Sequence, residues 1–172
     1  LNAEEWEKLA KKPKLKNYIL IYKLNTSNLI FDFARKLSKL TGKKIVALNF
    51  DVVDQMKTPD IKGVYSASVE EFLGYIKYAD YVVTNSFHGT AFSIIFHKEF
   101  YVEALQKDFK PNDRVESLLC LTGLDECKVK TLEDCRVNVN RDFYFSDDQI
   151  RKQYIKTNQY FERVLNEDGR SF

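Results

Sequence analysis

The chain has 172 residues, enough for one domain that buries roughly 70% of the surface exposed by its unfolded form. Apolar residues make up 44% of it and charged residues 30%, a globular composition that excludes a disordered chain. The net charge of +2 is too small to indicate nucleic acid or an anionic membrane as a partner, so a bound anion must be met by a local site.

Residues 1–16 are charged and amphipathic and lack the pattern of a signal peptide, so we interpret them as a leader or interdomain segment. Because the chain starts at Leu1 rather than at a methionine, we expect that it was cut from a longer protein and that an N-terminal partner domain is missing. No apolar run reaches the roughly 18 residues that a membrane span requires, and no transmembrane segment is predicted.

A strand, a helix and a second strand are predicted in the first third of the chain. Residues 17–24 form an apolar run rich in Ile and Tyr, which predicts a buried strand. Apolar residues recur at three- and four-residue steps over residues 28–40 and predict a helix that Gly42 ends. Residues 44–50 predict the second strand. Such a unit implies parallel strands joined by a right-handed crossover.

A predicted loop and the predicted start of a helix follow the second strand. Residues 51–63 hold Pro59, Gly63 and several charges, so they are predicted to form a loop, which is a candidate lid or site wall. Ser68 and Glu71 then have the spacing of a capping box, which predicts the start of a helix.

The alternation of strands and helices continues to the end of the chain. We predict a strand over residues 80–84, a helix over 89–98 and a strand over 99–105. Beyond them we predict a short helix over 113–121, a possible strand over 135–139 and a C-terminal helical segment over 146–172. This pattern predicts one Rossmann-like α/β domain over residues 1–172. Its doubly wound parallel sheet should bind ligands at the carboxyl ends of its strands.

The three cysteines, Cys120, Cys127 and Cys135, are not spaced like the close pairs of zinc sites. We interpret them as reduced thiols of a cytoplasmic protein, with one disulfide pair as the alternative. The sequence assigns no role to any of them.

Residues 80–96 have the pattern of a buried strand, a polar turn and a buried helix. The turn therefore lies where free backbone amides and the positive end of a helix dipole meet, which is anion-binding geometry. Gly89 allows a ligand oxygen to approach the main chain. Further polar groups come from four neighbours: Asn85, Ser86, His88 and Thr90.

A purely structural interpretation of the same turn remains open. In it, Ser86 caps the helix, Gly89 serves packing and His88 is an ordinary polar residue of the first turn. His97 follows His88 by nine residues and falls on the opposite helix face, so the two cannot share a site. We interpret His97 as a helix C-terminal residue favoured by the dipole.

The run EEFLGYIKYADYVVTNSFHGTAFSIIF, residues 70–96, resembles the signature of the polysaccharide pyruvyl transferase family. NYILIYKL, residues 17–24, is similar to the strand that opens the second domain of that family, and DRVESLLCLTGL, residues 113–124, to its Arg-containing helix. Members resemble GT-B glycosyltransferases, with two Rossmann-like domains around a cleft, and this chain would be the second. Glu99 departs from the proline found in many relatives.

This resemblance implies an enzyme that transfers pyruvate from phosphoenolpyruvate to two hydroxyls of a saccharide, forming a cyclic ketal and releasing phosphate. The product would belong to a cell-surface or exopolysaccharide made in the bacterial cytoplasm. Phosphoenolpyruvate would be the donor substrate, and no cofactor is expected. We expect the isolated chain to be inactive, because the acceptor would be held by the missing domain.

The chemistry needs a general acid and a group that neutralises the charge of phosphate. His88 matches the family's motif histidine and is the predicted acid, because imidazole can donate a proton near neutral pH. Arg114 is predicted to clamp the phosphate or carboxylate, unless it only solvates its helix. The predicted substrate-binding residues are Asn85, Ser86, Gly89, Thr90, Arg114 and, on position alone, Lys23.

Two other functions remain open at this stage. One is the donor domain of a GT-B glycosyltransferase that uses a nucleotide sugar, because the same fold binds diphosphates at the same helix end. The other is a noncatalytic module of polysaccharide biosynthesis. The sequence leaves the acceptor sugar, the ketal stereochemistry and the oligomeric state unassigned.

Overall fold

A parallel sheet of five strands lies at the centre of the part of the chain that the computed structural model describes, residues 3–25, 27–104 and 113–167. Its strands are β1 (Tyr18–Tyr22), β2 (Lys44–Leu48), β3 (Lys62–Val64), β4 (Tyr81–Thr84) and β5 (Glu99–Val102). They are ordered β3-β2-β1-β4-β5, and every neighbouring pair is parallel. The predicted Rossmann-like α/β class is confirmed.

Seven helices accompany the sheet in the described residues. They are α1 (Ala3–Leu9), α2 (Asn28–Thr41), α3 (Val52–Lys57), α4 (Val69–Lys77), α5 (Phe87–Ile95), α6 (Asp113–Thr122) and α7 (Tyr144–Glu167). Two single 3₁₀ turns, Asp125–Cys127 and Leu132–Asp134, follow α6.

Alternate residues of each strand point to opposite sides of the sheet, and both faces are buried under helices. In β1, Tyr18 and Leu20 join a core that also contains buried residues of α4, α5 and α6. Ile19 and Ile21 join a second core, which contains the apolar face of α2. The sheet is therefore the middle layer of three.

The helix boundaries that local signals predicted are confirmed. Gly42 ends α2 in the left-handed conformation, at φ 71°, and its amide donates to the carbonyl of Ser38. Ser68 accepts a hydrogen bond from the amide of Glu71, and the Glu71 carboxylate accepts one from the amide of Ser68. This reciprocal pair is the capping box that begins α4.

The prediction that residues 51–63 form a loop is wrong, because this stretch contains α3 and most of β3. Asp51 begins α3 with its own capping box, since its carboxylate accepts from the Asp54 amide at 2.7 Å. The possible strand over residues 135–139 is not formed. Asn138 has a left-handed backbone there, at φ 55°, as has Asn140 just beyond it, at φ 51°, and a strand does not accommodate this conformation.

The N-terminal segment packs against the domain. Trp6 of α1 contacts the ring of Phe92 edge-on, with 5.0 Å between centroids, and the Lys11 amide donates to the carbonyl of Glu70 at 2.8 Å. At the other end of the chain, α7 packs on α6 through its first turns only. Its later apolar side chains are exposed, including Tyr154 and Phe161 at 61% and 56%.

None of the helices in the described residues is both long enough and apolar enough to cross a membrane.

The strand order places a topological switch point at the middle of the sheet. From β1 the chain proceeds to β2 and β3 on one side, and then returns to add β4 and β5 on the other. The crossovers diverge at the carboxyl ends of β1 and β4, which leaves a crevice between the loops that follow them. The predicted polar turn after β4 lies at this crevice.

Candidate functional site

The turn between β4 and α5 is held by hydrogen bonds among buried hydroxyl groups. Ser86 begins α5, and its Oγ accepts from the amide of Gly89 at 3.4 Å. The Ser86 amide donates to Oγ1 of Thr84, and the Thr90 hydroxyl donates to the carbonyl of Ser86. Ser86 and Thr90 are fully buried, so their side chains shape the turn and do not face solvent.

Asn85 joins this turn to the neighbouring loop. Its Oδ1 accepts from the amide of Leu24 at 2.8 Å, and its Nδ2 donates to the carbonyl of Asn25 at 2.9 Å. Both ends of the amide are thus used to hold the loop between β1 and α2. Asn85 positions the two walls of the crevice relative to each other.

Gly89 brings α5 close to the sheet. A Cβ atom at this position would lie 2.4 Å from Oγ1 of Thr84 and 3.0 Å from the ring of Tyr22. The absence of a side chain therefore serves helix packing, as the structural interpretation of the turn holds. The sequence suggested that Gly89 allows a ligand oxygen to approach the main chain. The structure corrects this reason, because a side chain here would point at the sheet and not at a ligand.

We expect Gly89→Ala to lower the free energy of unfolding by about 1–3 kcal/mol, the usual cost of overpacking a filled site. Thr84 cannot easily move, because its hydroxyl donates to the carbonyl of Tyr22 at 2.6 Å. Urea denaturation of Gly89→Ala, Thr84→Ala and the double variant measures the coupling. We expect the double variant to be less destabilised than the sum of the single ones, whereas additive costs would show that the two residues do not collide.

His88 is exposed and lies in the first turn of α5. Within the described residues, the backbone amides of Phe87 and His88 have no hydrogen-bond acceptor, as is usual for the first amides of a helix. An anion at this helix end would meet two free N–H donors, the positive end of the dipole and the imidazole. The structure thus places the predicted acid at the predicted anion site.

Arg114 is brought to the same turn from a distant part of the sequence. It lies in the first turn of α6, and its guanidinium carbon is 5.2 Å from the centroid of the Phe87 ring. This distance permits a cation–π contact, which orients the guanidinium without using its N–H donors. Arg114 and His88 therefore flank the amino end of α5, and within the part of the chain that the structure describes the Arg114 donors have no hydrogen-bond acceptor.

Lys23 is placed differently from the other predicted site residues. Its Nζ lies 2.7 Å from Oδ2 of Asp54, and the two side chains are only 5% and 2% exposed. A buried lysine that is already paired cannot extend into the crevice without leaving an unpaired carboxylate. The structure thus assigns Lys23 to holding α3 against the end of β1, in place of the predicted contact with substrate.

Glu103 is a residue at this edge that sequence reasoning missed. It directly follows β5, and its amide donates to the carbonyl of Thr84 at 2.9 Å. Within the described residues its Oε2 is buried and has no hydrogen-bond donor, a costly arrangement that a ligand hydroxyl would relieve. The available signal was an acidic residue within the strand predicted over residues 99–105.

His97 lies away from the site, as predicted, but it is not inside a helix. It follows the end of α5 with a left-handed backbone, φ 49°, and its Nε2 is 2.9 Å from Oδ1 of Asp147. Its ring stacks on Phe143, with 4.9 Å between centroids. His97 thus joins the end of α5 to the start of α7.

All three cysteines are free thiols: Cys120 is exposed, Cys127 buried and Cys135 partly buried. Burial raises the pKa of the Cys127 thiol to about 12, which makes this sulfur a poor nucleophile near neutral pH.

The fold is similar to that of UDP-GlcNAc 2-epimerase from Methanocaldococcus jannaschii. One structure of that enzyme matches at 12% identity with a TM-score of 0.52, and a second, in complex with UDP-GlcNAc and UDP, at 13% with 0.54. Each match covers 90% of this chain but only 48% of the epimerase, so the chain spans about half the length of these proteins. The likeness confirms the expected GT-B-like fold class and shows the fold alone.

Sequence comparisons identify the family to which the chain belongs. No curated protein matches the chain significantly. The family model described as polysaccharide pyruvyl transferase matches residues 2–106, which include β1 to β5 and the whole turn that holds His88. Because this match extends over more than half of its residues, the chain belongs to the polysaccharide pyruvyl transferase family.

Proposed function

We propose that this chain is the phosphoenolpyruvate-binding half of an enzyme that transfers pyruvate to a saccharide. The observation that carries the proposal is the amino end of α5 at the switch point, where the Ser86 cap takes only the Gly89 amide and the free amides of Phe87 and His88 lie beside the His88 imidazole and Arg114. Membership of the polysaccharide pyruvyl transferase family supports a role in modifying polysaccharides.

Phosphoenolpyruvate carries a phosphate and a carboxylate on one small enol, so it needs two anion contacts close together. The amides of Phe87 and His88 would receive the phosphate, and the guanidinium of Arg114 would receive the carboxylate or share the phosphate. Of the predicted binding residues, Asn85, Ser86, Gly89 and Thr90 would act by holding this turn in shape. Lys23 would contribute only indirectly, because its ion pair with Asp54 holds α3 in place.

The proposed reaction begins with proton transfer from His88 to the terminal carbon of the enol, which makes C2 an oxocarbenium-like electrophile. One saccharide hydroxyl attacks C2, and its proton returns to His88. Phosphate then leaves with the electrons of the C2–O bond, a second hydroxyl of the same saccharide attacks C2 to close the cyclic ketal, and the proton of that hydroxyl passes to the departing phosphate. Donors fixed at the amino end of α5 stabilise the charge that develops on phosphate.

We also propose that a second domain of the protein closes over this site and holds most of the acceptor. The match to only about half the length of the epimerase structures supports this arrangement. Phosphoenolpyruvate is then a substrate, with no further cofactor, and the reaction takes place in the bacterial cytoplasm where this donor is made. The acceptor sugar and the ketal stereochemistry are left unassigned.

Calorimetric titration of the chain with phosphoenolpyruvate and, in parallel, with UDP-sugars tests the proposal. We expect weak binding of phosphoenolpyruvate and no release of phosphate with a panel of acceptors. Binding of a UDP-sugar but not of phosphoenolpyruvate would favour a glycosyltransferase donor domain, and binding of neither would favour a noncatalytic module. Rapid turnover by this chain alone would contradict the need for a second domain.

We expect Arg114→Ala to weaken binding of phosphoenolpyruvate by about tenfold or more, because hydrogen bonds to a charged group contribute roughly 1.5–3 kcal/mol. Calorimetry measures the change in Kd. Arg151→Ala is the matched control, since Arg151 is an exposed arginine of α7. If both variants bind like the parent chain, Arg114 only solvates the first turn of α6.

A further inference from the structure

A cleft of about 510 Å³ opens at the carboxyl edge of the sheet, beside the site already described. Tyr22 and Leu48, the last residues of β1 and β2, form its floor. Its walls come from the segment that links β3 to α4, which begins with Tyr65, and from Phe72 of α4. Its volume is within the usual range for small-molecule sites.

Among the described residues, the lining of this cleft contains no charged side chain. Its polar side-chain groups are the hydroxyls of Tyr22, Tyr65, Ser66 and Ser68 and the amide of Asn49. The Nδ2 of Asn49 donates to the carbonyl of Lys23, which leaves its Oδ1 free to accept, and Ser66 has no hydrogen-bond partner within the described residues. Such a lining suits a neutral, hydroxyl-bearing ligand and disfavours a phosphate or a carboxylate.

Tyr65 is exposed but held in place. It is 59% exposed, yet its ring packs edge-on against Phe50 at 6.4 Å and its hydroxyl donates to Oε1 of Gln55 at 3.1 Å. An aromatic ring fixed at both ends loses little conformational entropy when a ligand packs on it. Its free face is therefore ready to receive an apolar surface.

The Tyr22 ring, part of the floor of the cleft, also lies close to Gly89 at the amino end of α5. The Tyr22 ring lies 4.8 Å from the ring of Phe72, within the cleft, and it also lies 3.0 Å from the position where Gly89 would carry a Cβ. A ring bound in the cleft would thus lie next to the turn that holds His88. Its hydroxyls would be near the proposed position of the donor.

We infer that this cleft binds a pyranose ring of the acceptor saccharide, an inference that rests on the proposed function. The C–H face of the sugar packs on Tyr65, and its hydroxyls bond to Ser66 and to Oδ1 of Asn49. The chain then contributes one acceptor subsite itself, in addition to contacts from a second domain.

Saturation-transfer NMR on the chain tests this inference with three neutral probes: methyl β-galactopyranoside, methyl β-glucopyranoside and uridine. We expect at least one glycoside to bind with a Kd in the millimolar range, about 1–30 mM, through its ring protons. Tyr65→Ala should weaken that binding by about fivefold, the loss expected for one aromatic contact.

Tyr144→Ala is the control, because Tyr144 is a tyrosine of α7 that is 80% exposed. Thermal melting confirms that each variant is folded. The inference is overturned if neither glycoside binds at about 50 mM, if Tyr65→Ala binds like the control, or if only uridine shows a Tyr65-dependent signal. A separate titration with phosphoenolpyruvate distinguishes the two proposals, since glycoside binding without donor binding would reject the proposed function and keep the neutral subsite.

Discussion

Replacing His88 by alanine in the complete enzyme is expected to lower turnover by roughly 10²- to 10⁴-fold, the usual effect of removing a general acid. The free energy of unfolding should hardly change, because His88 is exposed and its imidazole makes no hydrogen bond within the described residues. Steady-state assays of phosphate release and thermal melting of the same preparations measure the two effects. The combination of lost rate and retained stability identifies a chemical role.

His88→Gln is the variant that separates proton donation from binding. Glutamine keeps a hydrogen-bond donor near the phosphate but is not an acid at neutral pH. We therefore expect it to retain binding of phosphoenolpyruvate better than activity. Turnover within about threefold of the parent enzyme in His88→Ala, or unfolding of that variant, would instead support the structural interpretation of this residue.

Lys23→Met is expected to lower the free energy of unfolding by about 3–5 kcal/mol, because it leaves the Asp54 carboxylate buried and unpaired. The pair is nearly inaccessible to solvent, with Nζ 2.7 Å from Oδ2. The double variant Lys23→Met with Asp54→Leu removes both charges and should recover most of this loss. It should stay about 1 kcal/mol below the parent, since Asp54 also contributes to the capping box of α3.

An exposed pair in the same chain provides the control for this experiment. Lys152 and Asp148 of α7 lie 2.6 Å apart with side chains 57% and 42% exposed, so Lys152→Met should cost less than about 1 kcal/mol. Denaturant titration of the three variants gives the comparison. If Lys23→Met costs no more than Lys152→Met, Lys23 is not committed to Asp54 and regains its place as a candidate for substrate binding.

Sequence patterns predicted the helices whose signals are local. The apolar repeat of α2 with Gly42 at its end, and the Ser68 to Glu71 box of α4, depend on residues within a few positions of one another. The six-residue α3 and the three-residue β3 were missed because elements this short contain no complete period of apolar residues. In that segment the structure depends on Asp51 and Asp54, whose capping role was not recognised.

By itself, the sequence determined the alternation of strands and helices, and with it the polar turn that presents His88 at the carboxyl edge of a parallel sheet. Only the tertiary structure decided how the side chains around this turn are used. It paired Lys23 with Asp54, packed Gly89 against Thr84 and brought Arg114 to the turn of His88. Such contacts join residues that are far apart in the chain or on different elements, and which of them form depends on how helices and strands fill the space between them.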